Sequence, residues 1–175
     1  ETIHAHGGCI LKYGKYFYWY GEDRRENYYI SCYRSKDLIH WEFRNHILTM
    51  DSPMEQIRVK TQLVLQQEDH KKVNLERPKV LYNSKTGKFV LWVHYENGKN
   101  YSEAACAIAT CEEPDGDYTY HGHFNPLGYM SRDCTLYQEP DGTAYFISAA
   151  RNNADMHIYR LQDDYMNIDV LNGRL

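Results

Sequence analysis

The sequence predicts an all-β chain built from successive antiparallel sheets. Three observations carry that reading. Apolar residues alternate with a period of two almost throughout, and no long stretch keeps a period of 3.6. Short apolar runs are separated by turns that contain glycine. A strand–turn–strand unit recurs three times along the 175 residues.

The first unit is GGCILKYGKYFYWYGE, from Gly7 to Glu22, turning at Gly14. The second is RPKVLYNSKTGKFVLWVHYE, from Arg77 to Glu96, and the third is RDCTLYQEPDGTAYFISAAR, from Arg132 to Arg151. Their turns, Asn83-Ser-Lys-Thr-Gly87 and Glu139-Pro-Asp-Gly142, carry hairpin chemistry. One further strand is expected after each hairpin, within YYISCYRSKDLIHWEF, ACAIATCEEPDGDYTYHG and MHIYRLQDDYMNIDV. In the first of these, Trp41 is placed to plug a sheet edge. The glycines Gly14, Gly87 and Gly142 recur irregularly, within reach of a propeller period of about 40 to 50 residues plus insertions.

The expected units are a first blade over about 4–50, a connector over about 51–72, a second blade over about 73–125 and a third over about 128–175. The connector, SPMEQIRVKTQLVLQQEDHKK, is polar and lacks glycine, which suits a helical turn or a further strand.

On the strand GKYFYWYGE, period two puts Tyr16, Tyr18 and Tyr20 on one face and Phe17 and Trp19 on the other. Phe17 and Trp19 are expected to pack the blade. Tyr20 and Glu22, near the strand end, are expected to meet a ligand, with EDRREN following as a polar loop.

Composition narrows the function. A net charge of -4, from 20 Lys+Arg and 24 Asp+Glu with no basic stripe, argues against nucleic acid as a partner. No apolar run approaches the roughly 20 residues that span a bilayer, so no membrane partner is expected. The opening ETIHAHGG is neither a signal peptide nor a methionine start, which suggests a trimmed N-terminus. Five cysteines leave at least one unpaired; Cys9, Cys32, Cys106 and Cys134 lie in apolar runs and read as buried thiols. Tyr, at 17 residues, supplies an apolar face with a polar tip, suited to strands and to gripping ring-shaped polar ligands.

In a propeller the innermost strand of each blade starts beside a shared funnel. The three starts here read His4-Ala-His6, Glu76-Arg77-Pro78 and Ser131-Arg132-Asp133. Ionisable groups recur where a core would want none, which makes these positions the strongest functional signal. The pairs His4/His6 and His121/His123 have the spacing of two metal ligands on a strand, but neither has a third ligand nearby, so no metal site is assigned.

IHAHGG, SKDLIHWEF, ERPK, NYSEAACAIAT and SRDCTLYQEPDGTAYFISAARNN resemble glycoside hydrolase family 43, in the branch of exo-β-1,3-galactanases. The S-x-D-L-x-x-W run recurs in several five-bladed glycosidase families; ERPK, NY and SRD in this order are more specific. The resemblance covers essentially the whole chain. It implies a five-bladed β-propeller, of which this chain makes about three blades, and glycoside hydrolysis with inversion by a general acid, a base and a third carboxylate that tunes the acid. It implies that Asp133 is the tuning carboxylate and that Glu76 meets the sugar in the cleavage subsite. Glu22, Tyr101 and Asn153 match substrate-contacting positions, and Arg132 and His6 join them from the strand starts.

Most of the family has an aspartate base where this chain has His6, a departure shared by the galactanase-like branch; the base is therefore unassigned. The general acid belongs to a fourth blade, and no residue here matches it. Since five blades need roughly 300 residues, the chain is expected to be part of a larger enzyme, closed by further blades or by a partner chain.

An ionised Asp133 would keep a nearby acid protonated by disfavouring a second charge. The plainer alternatives are that Asp133 caps a strand and pairs with Arg132, that Glu76 pairs with Arg77 or Lys79, and that Glu22 ends a solvated hairpin. The rival functions are a non-catalytic sugar-binding propeller or an inactive fragment that lost its acid, and an arabinosidase or xylosidase of the same family. A polysaccharide or oligosaccharide is the expected partner. Secretion, or a periplasmic location, follows from that substrate class alone. No cofactor is expected; a channel calcium held by backbone and water oxygens is compatible with the sequence but not called for by it.

Overall fold

A computed structural model describes residues 2–170. It contains eleven strands in three antiparallel sheets, with a single 3-10 turn and no α-helix among the described residues. None of these elements is a helix long and apolar enough to cross a membrane.

The first sheet holds β1 (His6–Tyr13), β2 (Tyr16–Glu22), β3 (Tyr28–Ser35) and β4 (Glu42–Thr49) in chain order. The second holds β5 (Asn74–Asn83), β6 (Lys88–Glu96), β7 (Ala105–Cys111) and β8 (Thr119–Phe124). The third holds β9 (Cys134–Gln138), β10 (Ala144–Ala150) and β11 (Asp155–Arg160), in the order β11-β10-β9. The three hairpins form where their turn chemistry puts them, with Gly14, Gly87 and Gly142 all at positive φ.

Two of the expected single strands are pairs. YYISCYRSKDLIHWEF contains β3 and the start of β4, divided by a turn in which Asp37 accepts the backbone N–H groups of Ile39 and His40. ACAIATCEEPDGDYTYHG contains β7 and most of β8, divided by the Pro-Asp-Gly turn. Trp41 packs edge-on against Trp19 with centroids 5.2 Å apart, and its indole N–H donates to the Leu38 carbonyl at 3.2 Å.

The connector forms neither a helical turn nor a named strand. It is tied down by isolated bridges instead, Met54 to Tyr120 and Gln62 to His123. The third expected unit reached residue 175, and its last five residues lie outside those described.

The second sheet is covered on both faces, and period two sorts its residues between two cores. On β6, Leu91, Val93 and Tyr95 join Tyr18, Tyr20, Ile30 and Cys32 of the first sheet. Val90 and Trp92 point the other way and join Phe146, Tyr159 and Leu161 beside the third sheet. The Trp92 indole N–H is satisfied by the Tyr165 carbonyl at 2.8 Å. Truncating such a residue to Ala costs about 3–5 kcal/mol.

The aromatic strand β2 packs on both faces, as expected, but more deeply on the Tyr face. Its Tyr face is the core face: Tyr18 and Tyr20 are buried, while Phe17 and Trp19 are half-buried. Tyr hydroxyls allow this because they find partners inside; that of Tyr20 donates to the Pro114 carbonyl at 2.7 Å. All five cysteines are free thiols, and burial pushes Cys9 up to about 11 and Cys134 up to about 12, which keeps them unreactive.

Candidate active site

The cores turn polar at one end of the sheets. On β6 the residues facing the third sheet run Val90, Trp92, His94, Glu96, so the apolar stripe becomes a histidine and a carboxylate without changing face. His94 is the direct cross-strand partner of Glu76 on β5, and Glu96 of Asn74. The pairing shifts by one residue between Glu76 and Lys79, and Arg77 sits there at φ 56. Such a bulge turns a strand end and re-aims its side chains.

Glu22, at the end of β2, and Glu76 line one cavity of about 260 Å³ with Arg24, Lys72, Asn74 and Tyr101. The Tyr101 hydroxyl donates to Glu76 Oε1 at 2.8 Å. That carboxylate pushes the Tyr101 phenol up. Arg24 spans the two sheets, with Nε 2.6 Å from Glu22 Oε1 and Nη2 3.9 Å from Glu76 Oε1. Burial lowers the ammonium of Lys72 against its ordinary value, because desolvation disfavours its charged form.

Asp133 lies immediately before β9 and is largely exposed. Its neighbours are not those expected. Arg77 Nε lies 3.5 Å from Asp133 Oδ2, and His94 Nδ1 lies 3.9 Å from Oδ1; Arg132, the expected partner, points elsewhere. Arg132 Nη2 donates to the Tyr101 carbonyl at 3.2 Å and to Asn152 Oδ1 at 3.4 Å, tying the Tyr101 loop to the β10–β11 turn. Glu76 likewise pairs with neither Arg77 nor Lys79.

The structure therefore brings Glu22, Glu76 and Tyr101 around one cavity and places Asp133 beside Glu76 through His94. His6 is exposed and sits opposite Glu22 in the β1–β2 register, outside the cavity lining. Asn153 is exposed in the β10–β11 turn, where Arg151, Asn152 and Asn153 all take positive φ. Tyr20 requires a correction: it is 0% exposed and hydrogen-bonded inside the core, so it presents nothing to a ligand.

Residues absent from the sequence reading complete the site. Arg24 and Asp23 belong to the stretch taken for a polar loop, yet Asp23 is buried, accepting Ser31 Oγ at 2.7 Å and Arg25 Nη2 at 2.8 Å. His94 and Glu96 had a legible signal, a histidine and a glutamate two apart in an apolar strand. His121 and His123 have other partners than a metal. His121 contacts Thr110 and the Glu55 carbonyl, and His123 stacks on Tyr95.

Among solved structures, an exo-β-1,3-galactanase from Clostridium thermocellum matches with a TM-score of 0.82 and 45% identity, over 96% of this chain and 36% of its own. The chain belongs to glycoside hydrolase family 43. An exo-β-1,3-galactanase from Phanerochaete chrysosporium, solved with galactose, matches this family 43 chain with a TM-score of 0.80 and 38% identity, over 95% of the chain and 37% of its own. A family 43 β-1,3-galactosidase matches with a TM-score of 0.79 and 36% identity, over 97% and 35%. The chain thus spans about a third of the length of these neighbours. No family model and no curated protein sequence matches it.

Proposed function

We propose that the chain forms three blades of a five-bladed propeller in an inverting glycoside hydrolase that cleaves β-1,3-linked galactan or a related galactose-containing polysaccharide. The observation that carries this reading is the convergence of carboxylates from three sheets, Glu22, Glu76 and Asp133, at one end of the fold beside Tyr101. The likeness to family 43 galactanases supports the substrate class.

On this reading Glu22, Glu76 and Tyr101 grip sugar hydroxyls. Carboxylates accept from hydroxyls, and the Tyr101 ring offers an apolar face to the sugar. Asp133, ionised and largely exposed to the cleft, disfavours a second negative charge and so keeps a neighbouring acid protonated for transfer to the leaving oxygen. That acid comes from the part of the family fold these three sheets do not span. Arg24 reaches both Glu22 and Glu76 at the cavity wall, and a sugar hydroxyl would compete with it for Glu22. A polysaccharide substrate would be met outside the cytoplasm, by a secreted or periplasmic enzyme.

The test is galactose release from β-1,3-galactobiose by the full-length protein and its Asp133→Ala and Glu76→Gln variants. Release by the parent protein, cut about 100-fold or more in both variants, supports the reading. A parent protein that binds galactose but releases none would favour a sugar-binding propeller.

A further inference from the structure

The sharpest anomaly in the molecule is the imidazole of His94. Its side chain is only 3% exposed, and Nε2 lies 2.6 Å from Oε2 of Glu96, which is itself 0% exposed. The other Glu96 oxygen accepts the Ala104 backbone N–H at 2.8 Å, from a residue held at φ 42. A buried carboxylate with both oxygens engaged cannot turn, so the ring it holds cannot turn either. The opposite ring nitrogen, Nδ1, is buried and has no hydrogen-bond partner among the described residues. It is aimed between two carboxylates from different sheets, 3.5 Å from Glu76 Oε2 and 3.9 Å from Asp133 Oδ1.

An orphaned buried polar atom is costly unless something engages it. Carboxylate oxygens accept, so Nδ1 can engage Glu76 and Asp133 only as an N–H donor. At 3.5 and 3.9 Å the donor is short of full contact with either oxygen. Hydrogen bonds of this kind are often long in a ligand-free site and tighten when the substrate is bound.

Resting on the glycosidase reading above, we propose that His94 is a positioning residue. The Glu76 carboxylate closes onto the fixed His94 Nδ1–H when sugar enters, which sets the spacing of Glu76 and Asp133 across the seam between the second and third sheets. Glu96 and the Ala104 N–H are the brace that aims it. The device explains why an expensive histidine–glutamate pair replaces apolar residues on the one strand face that otherwise fills a core with Val90 and Trp92.

Three substitutions in the full-length protein separate this role from simple packing. His94→Asn keeps a donor near the Nδ1 position and loses the Glu96 contact. His94→Gln does the reverse, and His94→Ala loses both. With β-1,3-galactobiose, the Gln and Ala variants are expected to lose about 100-fold in kcat with KM changed by less than about threefold. His94→Asn is expected to recover most of the loss. Rates for Gln and Ala within about threefold of the parent, or an Asn variant no better than Ala, overturn the proposal.

Crystal structures of the parent protein and of His94→Gln supply a second readout that needs no activity. The Glu76 and Asp133 carboxylates are expected to move apart or to change rotamer in the variant, and unchanged positions overturn the proposal. If His94→Ala fails to fold, the Asn and Gln pair carries the comparison. A parent protein that releases no galactose defeats the glycosidase reading, while the crystallographic comparison still decides the role of His94.

Discussion

The Tyr101 hydroxyl donates to Glu76 Oε1 at 2.8 Å, across the mouth of the cavity that Glu22 closes from the neighbouring sheet. The contact fixes one carboxylate oxygen of Glu76 and leaves the other facing His94. A hydrogen bond to an ionised group is worth about 1.5–3 kcal/mol, less where water competes. Tyr101→Phe is therefore expected to lower kcat/KM for galactose release about tenfold in the full-length protein. Its stability should fall by no more than about 1.5 kcal/mol, because Tyr101 is 46% exposed and water competes for the bond. A Tyr101→Phe variant with parental kcat/KM would detach the hydroxyl from the site's chemistry.

The N-terminal segment crosses β2 so closely that it tolerates no side chain. A Cβ on Gly21 would lie 2.1 Å from the Ala5 carbonyl carbon, and one on Gly8 would lie 1.6 Å from the Tyr20 oxygen. Both obstacles are backbone and cannot swing aside. Gly21→Ala is expected to cost about 1–3 kcal/mol, measured by urea unfolding, and to displace Glu22 next to it. Gly14→Ala is the contrast, with φ +60 but nothing within 4 Å, so it carries only a local backbone strain of about 1 kcal/mol. Equal losses at the two positions would mean that the close approach is not what Gly21 provides.

Asp23 makes an acid-labile tie at the base of the site. Burial opposes its charge, but hydrogen bonds from the Arg25 guanidinium, the Ser31 hydroxyl and the Arg25 backbone N–H outweigh that and hold its carboxyl down at about 2. The folded chain therefore stays ionised where the unfolded chain, near 3.8, already takes a proton. The stabilisation is complete above the unfolded value and is lost as pH falls from there through about 2. It amounts to about 2 kcal/mol. Asp23→Asn should lose that amount at pH 7, and its deficit should shrink when unfolding is measured near pH 2. A deficit that stays constant with pH would rule out the ionised carboxylate as its source.

The all-β succession of antiparallel sheets was legible in the sequence because period two, turn glycines and the repeat agree. The strand doubling was not. SKDLIHW and EEPDGDY are turns made by backbone N–H groups donating to the Ser35 and Asp37 side chains and by a Pro-Asp-Gly run, and such signals are weaker than a glycine hairpin. The depth of the Tyr face on β2 was misread for a definite reason. Period two says which residues share a face, but only the neighbouring sheet decides which face lies deeper, and tyrosine is at home on either. At the site, Glu22, Glu76 and Asp133 stand out as polar groups at or beside strand starts and ends, whereas Tyr101 lies in the β6–β7 loop and is legible only through the NY motif. His94 and Glu96 hide within an apolar strand, and only the cross-strand register sets His94 opposite Glu76 and Glu96 opposite Asn74.

The last prediction concerns His123, whose ring stacks on Tyr95 with centroids 3.7 Å apart and planes 7° from parallel. Its backbone exchanges both hydrogen bonds with Gln62 at 3.0 Å, so the position is held whatever the side chain does. Burial alone pushes the imidazole down to about 4, from an ordinary value of 6.5, and Nδ1 has no partner among the described residues. Between those two values the unfolded chain takes up a proton that the folded chain refuses. Stability therefore falls as pH drops from about 6.5 to about 4, by about 3 kcal/mol in all. His123→Phe keeps the stack and removes both the titration and the unsatisfied nitrogen. It should match the parent within about 1 kcal/mol at pH 7 and exceed it by about 2.5 kcal/mol at pH 4.5, measured by urea unfolding at each pH. His121, also lowered by burial, titrates in both proteins and cancels from the difference. If the two proteins lose stability in parallel down to pH 4.5, the acid sensitivity belongs elsewhere in the fold and His123 is charged in the native state.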